Sequence, residues 1–266
     1  MFITKFIISV LTIYFVVLIF LYFYQGKLLY HPNVNNYTED DILALEINKV
    51  TITTSDHHNL LGWFHKKDIS KKTILFFHGN AGSLENRIYK LNHFKNLDLN
   101  FLIIAWRGFS GNSGKPNEKG LYDDAKSAMK WLESVGIKEE KVILYGESLG
   151  TAIAIEIGQN KNFAGIILES PFTSMVEMGK KHYPFFPVGL LLKDRYESIN
   201  KIKNINFPVL VMHGKKDKIV PFYMGEEIYN LSNMPKFKYF TDLDDHMMDF
   251  DEKLINEINL FIKKLN

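Results

Sequence analysis

The apolar residues follow three different patterns along the chain. From Phe6 to Tyr24 (FIISVLTIYFVVLIFLYFY) they are nearly continuous and carry no charge. That length is close to what a helix needs to cross a bilayer. The run ends in Tyr22, Phe23 and Tyr24, residues suited to an interfacial belt, and then Gln25-Gly26-Lys27. A cleaved signal peptide is the rival reading, but its apolar region is usually shorter and ends in small residues. Residues 1–24 are therefore expected to form a membrane anchor. Residues 25–48 read as a connector, broken at His31-Pro32-Asn33.

From residue 49 the pattern changes again. Short apolar runs alternate with stretches of helical period. Val50–Thr53 and Leu60–His65 flank Ser55-Asp56-His57-His58 as a hairpin. Further strands are expected at Thr73–Phe77, Asn100–Trp106, Val142–Tyr145, Phe163–Leu168, Pro208–Met212 and Lys236–Phe240. Helices are expected at Leu84–Phe94, Gly120–Val135, Leu149–Ile157, Tyr223–Leu231 and Phe250–Leu265. Strands apolar throughout and separated by helices imply a mostly parallel sheet covered on both faces, here of eight strands with the hairpin as an antiparallel edge. Residues 171–205 interrupt the alternation and are rich in Phe, Pro, Tyr and Met, as in a cap insertion. The class is α/β, with residues 49–266 as one domain and no internal repeat.

Composition narrows the function classes. The chain has 266 residues, 46% hydrophobic and 23% charged, with a net charge of +2. Lysines are scattered among acidic residues, so no nucleic-acid surface is expected. There is no cysteine, which excludes disulfides, thiolate chemistry and Cys-ligated zinc. Lys5 and the α-amino group flank one side of the apolar run and Lys27 the other. This leans toward a domain outside the cytoplasm and leaves the opposite topology open. Asn36-Tyr37-Thr38 and Asn230-Leu231-Ser232 are sequons with meaning only in a eukaryotic secretory setting.

The chemistry centres on KVILYGESLGT at 141–151. Ser148 follows an expected buried strand and opens an expected helix, the setting of a nucleophile elbow, where Gly146 and Gly150 relieve a sharp turn. A serine hydroxyl needs a base, and the base an orienting acid. Three histidines follow Ser148: His182, His213 and His246. His246 is the expected base, because it follows the last strand and precedes the final helix. His182 lies in the cap, and His213 suits a turn. Asp217, in the loop after the PVLVM strand, is the expected acid, with Glu169 its competitor; Asp244 and Asp245 are poorer candidates that would tune His246. Oxyanion donors are expected at the N–H of Leu149 and in the loop Phe77–Ser83, where Asn80 is best placed. Trp106–Gly114 is Gly-rich but lacks G-x-G-x-x-G, so it reads as a rigid loop at the sheet edge and not as a dinucleotide site. His57-His58 has no nearby third ligand and reads as surface.

The stretches FFHGNAGS, AWRGFSGNSGKP, GLYDDAKSAMKWL, VILYGESLGTAIAIE, IILESPFTSM and VLVMHGKKDKIVP, in that order, resemble the α/β-hydrolase superfamily. More narrowly, they resemble its membrane-anchored, serine aminopeptidase-like members, in which an anchor followed by a segment like QGKLLYHP also recurs. The resemblance implies an α/β-hydrolase fold, with Ser148 as nucleophile, Asp217 as acid and His246 as base, and it lowers Glu169. The resemblance says little about substrate; the residues themselves lead us to expect cleavage of an ester, thioester or amide through an acyl-enzyme, with a small or lipid-like acyl substrate and no need for a metal or organic cofactor. An inactive hydrolase-fold scaffold at the membrane, or acyl transfer by the same residues, stays open, as does the oligomeric state. Trp106 departs from the acidic or Tyr-bearing strand end of many relatives, which touches the loop beyond it. Phe172, Tyr183, Phe185 and Phe186 in the cap would either wall an acyl site or simply pack.

Overall fold

The coordinates are a computed structural model of the chain and describe residues 1–265. In chain order the helices are α1 (Phe2–Leu29), α2 (Glu39–Ala44), α3 (Ile88–Lys95), α4 (Glu118–Ser134), α5 (Leu149–Gly158), α6 (Met175–His182), α7 (Val188–Leu191), α8 (Ser198–Lys201), α9 (Phe222–Leu231) and α10 (Glu252–Lys263). The main strands are β1 (Asn48–Thr53), β2 (Asn59–His65), β3 (Thr73–Phe77), β4 (Asn100–Ile104), β5 (Val142–Glu147), β6 (Gly165–Glu169), β7 (Val209–Gly214) and β8 (Lys236–Thr241).

These eight strands form one sheet in the order β8-β7-β6-β5-β3-β4-β2-β1. Only the β1–β2 and β2–β4 pairings are antiparallel; the other five are parallel. The period of two along each strand divides the interior into two cores. From β3 and β5, Leu75, Phe77, Val142 and Leu144 join the core under α4, α5 and α9. Ile74, Phe76, Ile143 and Tyr145 join the core under α3 and α10. Side chains close the starts of the longer helices: Asn117 Oδ1 accepts the Gly120 N–H at 3.0 Å, and Asp251 Oδ1 accepts the Leu254 N–H at 2.8 Å.

Two expected boundaries move. The apolar helix does not stop at Tyr24 but runs on to Leu29, because Gln25 is held at both ends of its amide, to Leu191 O at 3.0 Å and from the Lys193 N–H at 2.8 Å. The connector 25–48 is packed against the domain. His31–Pro32 pairs in parallel with Ala81–Gly82, and Tyr30 is buried, with its hydroxyl 2.7 Å from that of Tyr196. The Trp106–Gly114 loop is also not at the sheet edge. It follows β4, third from one side, at the C-terminal ends of the parallel strands, and Arg107 locks it to Asp124 (2.7 Å) and Asp56 (2.7 Å).

Candidate active site

The carboxyl ends of β3, β5, β6, β7 and β8 all open on the same side of the sheet, which is where open α/β sheets place their ligand sites. At the end of β5 the chain turns into α5 through Ser148, whose φ of 50° and ψ of −114° lie outside the regions normally open to a residue with a Cβ. The flanking glycines permit this for steric reasons. A Cβ on Gly146 would fall 2.5 Å from the Thr151 Cα, and one on Gly150 would strike the Phe77 carbonyl. The strained backbone also changes the job of the side chain. A serine before a helix usually caps it, but Ser148 makes no cap bond. Its hydroxyl lies instead 3.0 Å from His246 Nε2.

His246 Nδ1 lies 2.7 Å from Asp217 Oδ2. Asp217 Oδ1 accepts the N–H groups of Ile219 and Val220, both at 2.8 Å, and His213 Nε2, bonded to Val220 O at 3.0 Å, also lies 3.2 Å from Oδ2. Burial works against its charge, but the bonds from His213, His246 and the Val220 N–H hold its carboxyl well below the usual range. The His246 loop is placed by backbone packing. Gly214, at the end of β7, admits the Asp244 carbonyl where a Cβ would clash, and Asp244 O accepts the Lys216 N–H at 3.1 Å. Ser170 Oγ donates to His246 O at 3.1 Å. Ser148, Asp217 and His246, separated widely in sequence, thus form one hydrogen-bonded row.

The other candidates do not join this row, although His182 lines the same cavity as Ser148. His182 Nε2 meets Ile219 O at 2.8 Å, and His213 is buried behind Asp217; neither is bonded to Ser148. Neither the Asp244 nor the Asp245 carboxylate bonds the His246 imidazole; Asp245 accepts the Met247 N–H at 3.0 Å. Glu169 cannot act as the alternative acid, because it is committed to a buried charge cluster. Lys90 Nζ lies 2.7 Å from both Glu147 and Glu169, Arg87 is 2.5 Å from Glu147, and the Tyr145 hydroxyl donates to Glu169 at 2.5 Å. Burial disfavours the Lys90 ammonium, but Glu147 and Glu169 outweigh it and keep it charged. Burial likewise opposes charge on Glu147, yet Arg87 and Lys90 hold its carboxyl far below the ordinary range.

This cluster reaches the loop after β3. Glu147 Oε1 accepts the Gly79 N–H at 3.3 Å, and Arg87 donates to Ala81 O at 2.8 Å. The Trp106 indole N–H donates to His78 O at 3.0 Å, so the departure at Trp106 ties the β4 loop to the β3 loop. Asn80 and Leu149 line the same cavity as Ser148. The Asn80 side-chain amide is occupied, donating to Leu29 O at 2.6 Å, and Leu149 is the first residue of α5.

The cavity encloses about 460 Å³ and is lined mainly by apolar side chains. Phe172, Tyr183 and Phe186 of the cap border it, while Phe185 points away from it. Its remaining wall was not visible in the sequence: Leu21, Gln25, Leu28 and Leu29 belong to α1.

Comparison with known proteins gives the architecture a lineage. The model of the prolyl oligopeptidase family matches residues 107–236. The uncharacterized protein Rv2307c of Mycobacterium tuberculosis is 34% identical over 223 residues, covering 83% of this chain and 79% of that protein. Alpha/beta hydrolase domain-containing protein 17B of Homo sapiens is 33% identical over 172 residues, covering 62% of this chain and 57% of the human one. Among solved structures, the esterase Pf2001 of Pyrococcus furiosus superposes with a TM-score of 0.71 at 22% identity, over 89% of this chain and 98% of that one. An alpha-beta hydrolase of Vibrio vulnificus superposes with a TM-score of 0.69 at 22% identity, over 86% of each chain. The family-model match, the relatives over much of the chain and the superposed folds agree: the chain belongs to the α/β-hydrolase superfamily.

Proposed function

We propose that the protein is a membrane-anchored serine hydrolase that cleaves an ester, thioester or amide through an acyl-enzyme on Ser148. The observation that carries this reading is the Ser148–His246–Asp217 row, at 3.0 Å and 2.7 Å, on a serine withdrawn from helix capping. In the first half-reaction Ser148 Oγ bonds to the acyl carbon while its proton passes to His246 Nε2. The bond to the leaving group then breaks, and His246 returns that proton to it. In the second half-reaction His246 takes a proton from water, whose oxygen attacks the acyl carbon; the acid leaves and Ser148 regains its hydrogen. Asp217 keeps Nδ1 as the donor side of the imidazole and offsets the positive charge that forms on it. The negative oxygen of each tetrahedral state is held by the backbone N–H groups of Leu149, at the α5 N-terminus, and Asn80. The Asn80 side chain is not the donor, being spent on Leu29. Phe172, Tyr183 and Phe186 supply an apolar wall for the acyl group.

The full chain in detergent is expected to be labelled by a fluorophosphonate probe, and Ser148→Ala to remain unlabelled. Equal labelling of the two would overturn the reading. His246→Ala is expected to lower turnover by at least about a thousandfold; a loss of under about tenfold would remove His246 from the mechanism.

A further inference from the structure

The cap carries an apolar tip bracketed by charge: Lys180-Lys181-His182, then Tyr183 to Leu192 (YPFFPVGLLL), then Lys193-Asp194-Arg195. Phe185 and Leu190 are each 86% exposed to water, and Tyr183 is 48% exposed. The backbone of this tip is unusually self-sufficient. Pro184 and Pro187 carry no N–H, and Phe186, Val188, Leu190, Leu191 and Leu192 donate theirs within the segment. Most of the tip's backbone donors are thus satisfied, as a segment in a medium without hydrogen-bonding partners requires; the Phe185 and Gly189 N–H groups are the two that make no bond among the described residues.

The same tip is fixed to α1 at a defined height. The Tyr14 hydroxyl donates to Phe185 O at 3.1 Å, and the Tyr14 ring stacks on Phe186 with centroids 6.2 Å apart and planes within 2°. Lys193 Nζ lies 4.1 Å from the Tyr22 ring, and Lys27 Nζ lies 5.2 Å from that of Tyr24. With Tyr22–Tyr24 at the headgroup level, where such lysines belong, Tyr14 is about 15 Å deeper along the helix. That is about half the ~30 Å hydrocarbon thickness. The tip therefore lies beside the half of α1 nearer the domain, from the headgroup level inward to Tyr14. The cavity then runs from Ser148 to Leu21 of α1, between the cap and the helix.

We propose that the cap tip Tyr183–Leu192 is immersed beside α1, so that the cavity opens sideways into the bilayer. Through this opening it takes one long acyl chain, carried as an ester or thioester by a membrane-resident molecule. α1 is then a wall of the acyl site as well as an anchor. Leu21 and Leu28 contact the chain, while the carbonyl group reaches Ser148 near the interface. The proposal rests on the reading of Ser148 as nucleophile and narrows it to substrates delivered from lipid. It disfavours water-soluble short-chain esters and peptides.

The test uses full-length Ser148→Ala in phosphatidylcholine vesicles. These are doped either with a monoacyl glycerol or with a diacyl phosphatidylcholine, each bearing a diazirine at the end of a palmitoyl chain. After irradiation, cross-links are expected on Leu21, Leu28 and Leu29 and on the cavity residues Phe172 and Met178. The lipid that labels more strongly identifies the head that carries the chain. Cross-links confined to the outer surface of α1, such as Phe15 and Phe20, would overturn the proposal. Unmutated protein in the same vesicles is treated with fluorophosphonate, which separates the two readings. Labelling of Ser148 without cavity cross-links sinks lipid delivery alone, and cavity cross-links without Ser148 labelling sink the hydrolase mechanism. In turnover assays, Leu21→Trp is expected to lower the preference for a vesicle-borne palmitoyl ester over an acetyl ester by about tenfold, equivalent to ~1.4 kcal/mol. An unchanged ratio would contradict the role of α1 as a wall.

Discussion

At the scale of single residues, the site depends on atoms that are missing as much as on those present. Gly150 leaves room for the Phe77 carbonyl, so Gly150→Ala has to push β3 and α5 apart. The expected result is a destabilisation of about 1–3 kcal/mol or more, read as a lower thermal midpoint, with loss of fluorophosphonate labelling. His78 makes a second residue-scale prediction. Fully buried, it donates from Nδ1 to Gly79 O at 2.8 Å, and its Nε2 faces the Trp106 N–H at 3.4 Å, an arrangement only the neutral ring satisfies. Burial, reinforced by Arg87, pushes it down to about 3 from an ordinary 6.5. Its contribution to stability is complete above pH 6.5 and is lost as the pH falls toward 3, where the unfolded chain binds a proton that the folded chain refuses. Each pH unit in that window costs about 1.4 kcal/mol, so the thermal midpoint should fall more steeply below pH 6.5 than in His78→Gln. Parallel slopes would contradict this. Ser148, Asp217 and His246 were legible because chain order and loop position single them out. His213, whose Nε2 is bonded to Val220 O and stands beside the same Asp217 oxygen that meets His246, and Ser170, which holds the His246 carbonyl, were not. Both act through contacts across the sheet that no local pattern encodes.

At the scale of elements, hydrophobic period was a reliable guide. The eight strands and the main helices lie where the runs of apolar residues place them, because β3, β5, β6 and β7 are buried on both faces. The buried charges were harder to read. Lys90 lies near Leu91 and Phe94 on the inward side of α3, a position a pattern reading assigns to an apolar residue. Its partners Glu147 and Glu169 come from two strands far away in sequence. Lys90→Met leaves two carboxylates with only Arg87 beside them and is expected to cost about 3–5 kcal/mol. Adding Glu169→Gln removes the surplus charge, so the double variant should recover part of that loss in chemical denaturation. If the double variant were no more stable than the single, the cluster would not be balancing charge. Because Glu147 also receives the Gly79 N–H, Lys90→Met should loosen the loop that carries Asn80 and slow acylation.

At the scale of the whole molecule, the boundary between the apolar helix α1 and the α/β domain is where sequence reading reached its limit. A hydrophobic run reports that a helix avoids water, not that one of its sides is shared with a cavity. Composition therefore marked Phe6–Tyr24 as an anchor and missed Leu21, Gln25, Leu28 and Leu29 as lining. A chain lacking residues 1–33 should still bury its two cores yet lose most turnover, including toward short esters, because the Asn80 loop loses its partners. Turnover equal to that of the full chain would show the anchor to be a passive tether. The two-residue ladder His31–Pro32 with Ala81–Gly82, together with the Asn80–Leu29 bond, also acts as a mechanical linkage. With α1 as the proposed anchor, a tilt adopted to match bilayer thickness would pass through Leu29 to the turn facing Ser148. On the proposed function, membrane thickness would then be an input to the rate. Across vesicles of graded lipid length, turnover should pass through an optimum that disappears when a flexible Gly-Ser stretch is inserted between Gly26 and Lys27.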